Sequence, residues 1–274
     1  MKKIEDITEM LENGVKEVFN SDRFKEYLDT MAKFYDYSAN NCLLIMMQCP
    51  QASLVASYKK WHDEFSRQVK KGEKAIKIIA PISHKRTNRK TGEEEVYCTF
   101  RAVPVFDLSQ TEGKELPSIK VSELKGDVQS YDMMIRKLIG ISPVPISFES
   151  FDGSAKGFFR PTENEIVVKC GMGQEQTMKT LVHEIAHSIL HCKDGEQEYA
   201  DRVTREVQAE SVAYVVCSGL GVDTSDYSFG YIAGWSSGLG IKALTSNLEV
   251  IRKTAKAMLE KLGEVEDERR RAVQ

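Results

Sequence analysis

Three of the chain's five histidines, His183, His187 and His191, fall at four-residue steps in the stretch Thr180 to His191, TLVHEIAHSILH. His183, Glu184 and His187 read H-E-x-x-H. On a helix, positions i and i+4 lie on one face, so two imidazoles can share a divalent ion while the glutamate reaches its water. With so few histidines, a random match to this pattern is on the order of one in a hundred. From Met178, the residues Leu181, Val182, Ile185, Ala186, Ile189 and Leu190 keep the i, i+3, i+4, i+7 spacing of an amphipathic helix. The two ligand histidines and Glu184 project from the other side of that stripe, and Gly195 is the expected stop.

Two histidines do not complete a catalytic zinc site, which takes three protein ligands and an open position. Downstream, Asp201 to Leu220 has helical periodicity, and Glu206 and Glu210 stand one turn apart on a face with Ala209, Ala213 and Cys217. Carboxylates among small residues call for a cation or donors. Glu206 is therefore read as the third ligand and Glu210 as an outer acceptor for a ligand histidine, with the reverse assignment left open. Glu184 would be the general base beside a metal-acidified water, and the metal is zinc or manganese.

The N-terminal half is of another kind. Lys59 to Lys90 holds eleven basic residues against three acidic ones, a local net charge of +8 on a chain whose net charge is -3. Tyr58 and Trp61 interleave with these lysines, as aromatic platforms do in proteins that bind single strands. A solvated charged face with a hairpin tip at Thr87 to Gly92 is the plainer alternative. The -3 total opposes a mimic of DNA acting through its own negative surface.

Helices are expected over 3 to 19 and 22 to 36, then a helix ending before Pro50, and strands over Lys74 to Pro81 and Tyr97 to Phe106. Further strands are expected at Ile146 to Ser150, Lys156 to Arg160 and Asn164 to Lys169, the middle one being a candidate edge for an extended peptide. The resulting fold class is α+β with two domains: a mixed α/β domain over 1–116, a linker over 117–126, a metal-helix domain over 127–263 and a charged tail over 264–274. The six cysteines form no C-x-x-C pair and read as reduced thiols, with Cys192 and Cys217 near the metal helices. No apolar run approaches the roughly 18 residues of a membrane span, and MKKIEDITEM is too acidic for a signal peptide, so a cytoplasmic protein with no membrane partner is expected.

Two sets of residues resemble one known family. YSANNCLLIMMQCPQASLVASYKKW, RQVKKGEKAIKIIAP and VPVFDLSQTEG resemble the N-terminal single-stranded DNA-binding domain of ArdC-type antirestriction proteins and their LtrC-like relatives. HEIAHSILH, REVQAESVAYVVCSGLG and YIAGWSSG resemble the zincin metallopeptidase domain of the same proteins. The resemblance implies a protein of plasmids or conjugative elements that binds incoming single-stranded DNA and counters restriction. It also implies a zinc-like site at His183, His187 and Glu206 with Glu184 catalytic. Carried onto matching positions, it makes Asn41, Trp61, Arg67, Lys70, Lys71 and Lys74 the DNA-facing set, with Asn41 alternatively organising the fold. Ala75, where relatives often have glycine after GEK, departs from the pattern. The competing reading is a protease similar to the ImmA/IrrE family, cutting a protein or peptide substrate chosen by the N-terminal domain.

Overall fold

The computed structural model describes residues 4–19, 21–87, 94–116, 128–193, 197 and 200–272. The first half holds α1 (Ile4–Val18), α2 (Ser21–Lys33), α3 (Ala39–Gln48), β1 (Val55–Ala56), α4 (Tyr58–Asp63), β2 (Arg67–Val69), β3 (Ile76–Thr87), β4 (Glu94–Asp107), a 3-10 turn (Leu108–Gln110) and β5 (Thr111–Gly113). The second half holds α5 (Val128–Ile141), β6 (Ile146–Glu149), β7 (Gly157–Arg160), β8 (Glu165–Lys169), α6 (Gln174–Leu190), α7 (Arg202–Gly219), α8 (Ile232–Ser236) and α9 (Ile241–Ala272). The class is α+β, as the sequence predicts. The linker expected at 117–126, the hairpin tip and Gly195 lie outside the described residues. The segment expected as a charged tail continues α9 as helix to Ala272.

The strands form three small sheets. In the first, β4 lies between β1 and β3, and β3 and β4 pair in one unbroken antiparallel register from Ile76↔Val105 to Thr87↔Glu94. Pro104 sits within β4 beyond the short reach of β1, so its missing N–H faces no partner strand on that flank. Only the base of this hairpin is in the core, through Ile76, Ile78 and Val105. Further out, Val96 and Phe100 are 66% and 65% exposed. In the C-terminal sheet the apolar run Ile166 to Val168 puts β8 in the centre, parallel to β6 and antiparallel to β7, and β6 and β7 are left as its two edges.

Asp107 ties the first half together. Its carboxylate accepts from the N–H groups of Ser53 and Leu54 and from both the N–H and the hydroxyl of Ser109. Burial works against its charge, but these four bonds outweigh it and hold its pKa below the usual carboxylate range.

One apolar cluster runs through both halves. Phe24, Leu28 and Met31 of α2 and Leu43 to Ile45 of α3 belong to the same packed core as Val212, Val215 and Ile251 of α7 and α9. Polar contacts follow the same seam: Tyr214 donates to Asp29 at 2.7 Å, the N–H of Ala39 to Glu249 at 3.0 Å, and Lys256 to Asp36 at 2.7 Å. The back of α7 is thus built against the N-terminal helices.

Candidate metal centre

Each metal-site helix is positioned by its own local chemistry. The side chain of Asp201 caps α7 by accepting from the N–H groups of Val203 and Thr204, both at 3.0 Å, which fixes the start of the helix from whose second turn Glu206 projects. Ala209 and Ala213, fully buried, let α7 lie close to α6. On α6 the stripe of Met178, Leu181, Val182 and Ile185 is buried, as its spacing predicts. The helix stops at Leu190, with His191 as its C-cap, before the glycine expected to end it.

The structure brings His183, His187 and Glu206 together. The two Nε2 atoms are 3.0 Å apart, and Oε2 of Glu206 lies 3.6 Å from that of His183 and 3.7 Å from that of His187. A point equidistant from these corners is about 2.0 Å from each, close to the roughly 2.0–2.2 Å of zinc bonds to nitrogen and oxygen. Among the described residues these three form the one group of His, Cys, Asp and Glu donors so arranged, and no cysteine belongs to it. Glu210 stands on the other side of His183, with Oε2 3.2 Å from Nδ1. That contact is close enough for an ion pair but not aligned as a hydrogen bond. Glu206, read from sequence as the third ligand, and Glu210, read as the outer acceptor, therefore face opposite nitrogens of one ring.

Electrostatics favour a cation here. Burial disfavours charge on His183, yet Glu206, Glu210 and Glu184 outweigh it and raise its pKa to about 10. The histidines hold the Glu206 carboxyl far below its ordinary range. Glu184 shifts the other way: burial raises it, with His183 and His187 opposing. The field that retains a proton on the imidazole would equally favour a divalent ion.

The edge strand β7 forms one wall of this cleft. A Cβ on Gly157 would lie 2.7 Å from Thr180 Cγ2, 3.0 Å from the carbonyl oxygen of Val167 and 3.2 Å from Glu184 Cγ, so only glycine lets the strand come this near α6. On one side of Glu184 is a cavity of about 390 Å³ reaching Lys156, Lys179 and Tyr227. On the other is one of about 620 Å³ lined by Phe158, Phe159 and Pro161.

Several supporting residues were missed from sequence. His191 meets His187, Nδ1 to Nδ1, at 2.9 Å, and burial lowers its pKa to about 4. Gln208, fully buried, meets His191 at 2.9 Å. The spacing of His191 was visible, but nothing in the pattern says what its ring touches. Gly157 did carry a signal, since an isolated glycine in a strand marks a close approach. Tyr214 packs on the N-terminal helices, while Tyr231 feels Glu210 and Glu206 after burial and is raised above the usual phenol range.

The expected DNA-facing set separates into two groups. Asn41 is 8% exposed and spends its amide on Ile79, donating to the carbonyl at 2.8 Å and accepting from the N–H at 2.9 Å. Trp61 is wholly buried, its indole N–H on the carbonyl of Phe106 at 2.8 Å. Arg67 grips β5, bonding Thr111 and the carbonyls of Gly113 and Lys114. In this structure Asn41 and Trp61 spend their polar groups on backbone, which speaks against a DNA-facing role for either, while Arg67 braces β5 and stays partly exposed. Lys70, Lys71 and Lys74 are exposed, Lys70 with its ammonium donating to the carbonyl of Ser109 at 2.9 Å, and Tyr58 of α4 is an exposed aromatic at 56%.

Comparison with known proteins bears on the N-terminal sequence and on the fold. Residues 2–110 match the family model for the N-terminal domain of anti-restriction factor ArdC. The metal-free crystal structure of the antirestriction ArdC protein from R388 plasmid is similar over 83% of this chain and 86% of its own, with a TM-score of 0.57 and 20% identity. The Mn(II)-bound structure of ArdC aligns over 88% and 96%, with a TM-score of 0.48 and 16% identity. A Bacillus anthracis protein described as uncharacterized is 27% identical over 291 aligned residues, covering 89% of this chain and 49% of its own length. The chain thus spans about half of that relative, and it is ArdC-like in its N-terminal sequence and in its fold.

Proposed function

We propose that this ArdC-like chain is an antirestriction protein of a mobile genetic element, working in the cytoplasm, which binds single-stranded DNA and carries a zinc metallopeptidase-type site. The DNA reading is supported by the match of residues 2–110 and by the exposure of lysines 70, 71 and 74 and of Tyr58. The enzymatic reading is carried by one observation: the His183, His187 and Glu206 triangle faces a cleft walled by the edge strand β7.

His183, His187 and Glu206 would hold the ion, Zn2+ or alternatively Mn2+, since two imidazoles and a carboxylate suit either. When bound, such an ion acidifies a water and polarises a carbonyl. Glu184, buried in the cleft wall with its pKa raised, would take the proton at its carboxylate and return it to the leaving nitrogen. The free edge of β7 would align an extended peptide by strand pairing, and Gly157 lets that peptide lie against Glu184. The same edge supports the second reading, a protease of a regulatory protein similar to the ImmA/IrrE family.

Transfer of an unmodified plasmid into a restricting host decides between these readings. Protection by the wild type that survives Glu184→Gln but is lost on reversing Lys70, Lys71 and Lys74 to glutamate would assign antirestriction to DNA binding. Protection lost with Glu184→Gln while single-strand affinity persists would assign it to proteolysis. No measurable affinity for single strands at low salt would remove the DNA reading.

A further inference from the structure

His191 and Gln208 are both buried, and neither belongs to the donor triangle. Their hydrogen bonds form a chain whose direction is set from one end. It starts at the main-chain carbonyl of Ala243 on α9, which can only accept. Asn247 Nδ2 donates to it at 2.9 Å, which turns Asn247 Oδ1 toward α7. That oxygen accepts from Gln208 Nε2 at 2.7 Å, and Gln197 Oε1 lies 3.1 Å from the same amide nitrogen. Gln208 Oε1 is thereby aimed at His191, 2.9 Å from its Nε2. An acceptor at that place requires the hydrogen on Nε2. In the neutral ring this leaves Nδ1 bare, and Nδ1 of His187, 2.9 Å away, must then be the donor. The remaining nitrogen of His187, Nε2, keeps its lone pair, and it is the atom that forms a corner of the triangle.

We propose that His191 and Gln208 are positioning residues which, anchored on Asn247 of α9, hold His187 in its Nδ1–H tautomer and present Nε2 to a divalent cation. The inference rests on the triangle being a cation site. It also makes the two ligand histidines unlike: His183 has a carboxylate behind it, whereas His187 is oriented by a neutral relay through three helices. A carboxylate raises ring basicity as well as fixing orientation, and the relay supplies orientation alone.

The test uses the full chain titrated with Zn2+ against a chromogenic chelator. Gln208→Leu and His191→Phe are expected to weaken affinity about 10- to 100-fold, the usual effect of removing such a partner. Gln208→Glu keeps an acceptor for His191 and is expected to retain affinity that the leucine variant loses, a rescue that a purely packing role would not give. Because a variant can fail by misfolding, nitrogen NMR of histidine-labelled wild-type chain supplies the second readout. Metal-free, it should show hydrogens on Nδ1 of His187 and Nε2 of His191. The proposal is overturned if folded leucine and phenylalanine variants bind Zn2+ within twofold of wild type, or if His191 carries its hydrogen on Nδ1. Should the wild type take up no Zn2+, the cation reading of the triangle falls and the proposal with it, whereas the NMR result still reports the tautomers separately.

Discussion

The two halves of the chain use polar side chains in opposite ways. Around the triangle, polar atoms are aimed at a point in a cleft: the two Nε2 atoms and Oε2 of Glu206 converge there, and their supports stand behind them. In the N-terminal half, Asn41, Trp61, Arg67 and Asp107 are turned inward onto backbone groups. There they do for loops and short strands what longer sheets do for themselves. The lesson is that residue type alone does not separate a ligand from a brace; what separates them is whether the polar atoms of several side chains converge on one point or are each spent on a backbone group.

The largest expected effect tests the cleft side of this contrast. Glu184→Gln keeps the triangle but removes the base, so any peptidase turnover should fall by about 10²- to 10⁴-fold while Zn2+ affinity, measured by chelator competition, stays near wild type. Equal loss of both would mean that Glu184 braces the site. Next, Trp61→Ala removes a fully buried indole and its bond to Phe106, and thermal or urea unfolding should show a loss of about 3–5 kcal/mol. A variant that stays stable but loses DNA would return Trp61 to the surface role expected from sequence.

Asp107→Asn should cost about 2–4 kcal/mol at neutral pH, since it strips the charge from a carboxyl receiving four hydrogen bonds. The pKa of Asp107 is depressed in the folded state, so its contribution is complete above the unfolded value near 4 and is lost as pH falls through the lower folded value. Urea melts at pH 7 and pH 3 should therefore show the gap between wild type and variant narrowing in acid. A smaller effect belongs to Tyr58→Ala, which should leave stability almost unchanged and cost about 1–3 kcal/mol of single-strand affinity. Smallest is the change in salt dependence: replacing Lys70, Lys71 and Lys74 with alanine should flatten the log–log slope by about 2, read by anisotropy of labelled oligonucleotide.

How far the sequence could be read follows from the same contrast. Most of the longer helices, the individual strands and the histidine spacing were legible because period and spacing are written along one element. The choice of Glu206 over Glu210 could be made with its reverse still open, because each is one turn from the other and the decision lies in how α7 is rotated against α6. The relay behind His187 was invisible for a stronger reason: Gln208 and Asn247 come from separate helices and carry no motif. Trp61 was misread because basic neighbours suggest an exposed platform, while its burial depends on β4 lying beneath it. A resemblance to relatives transfers positions, and a buried tryptophan is as specific a position as a DNA-facing one.

The seam between α2 and the back of α7 has a consequence for anyone recombining such proteins. Tyr214 meets Asp29 from the same helix that presents Glu206 two turns earlier, so the halves do not exchange as interchangeable cassettes. A chimera joined near residue 117 would have to rebuild that shared face, and its metal helix would be the casualty of a mismatch. The outer part of the β3–β4 hairpin, held only at its base, is the piece that relatives could trade without disturbing the rest.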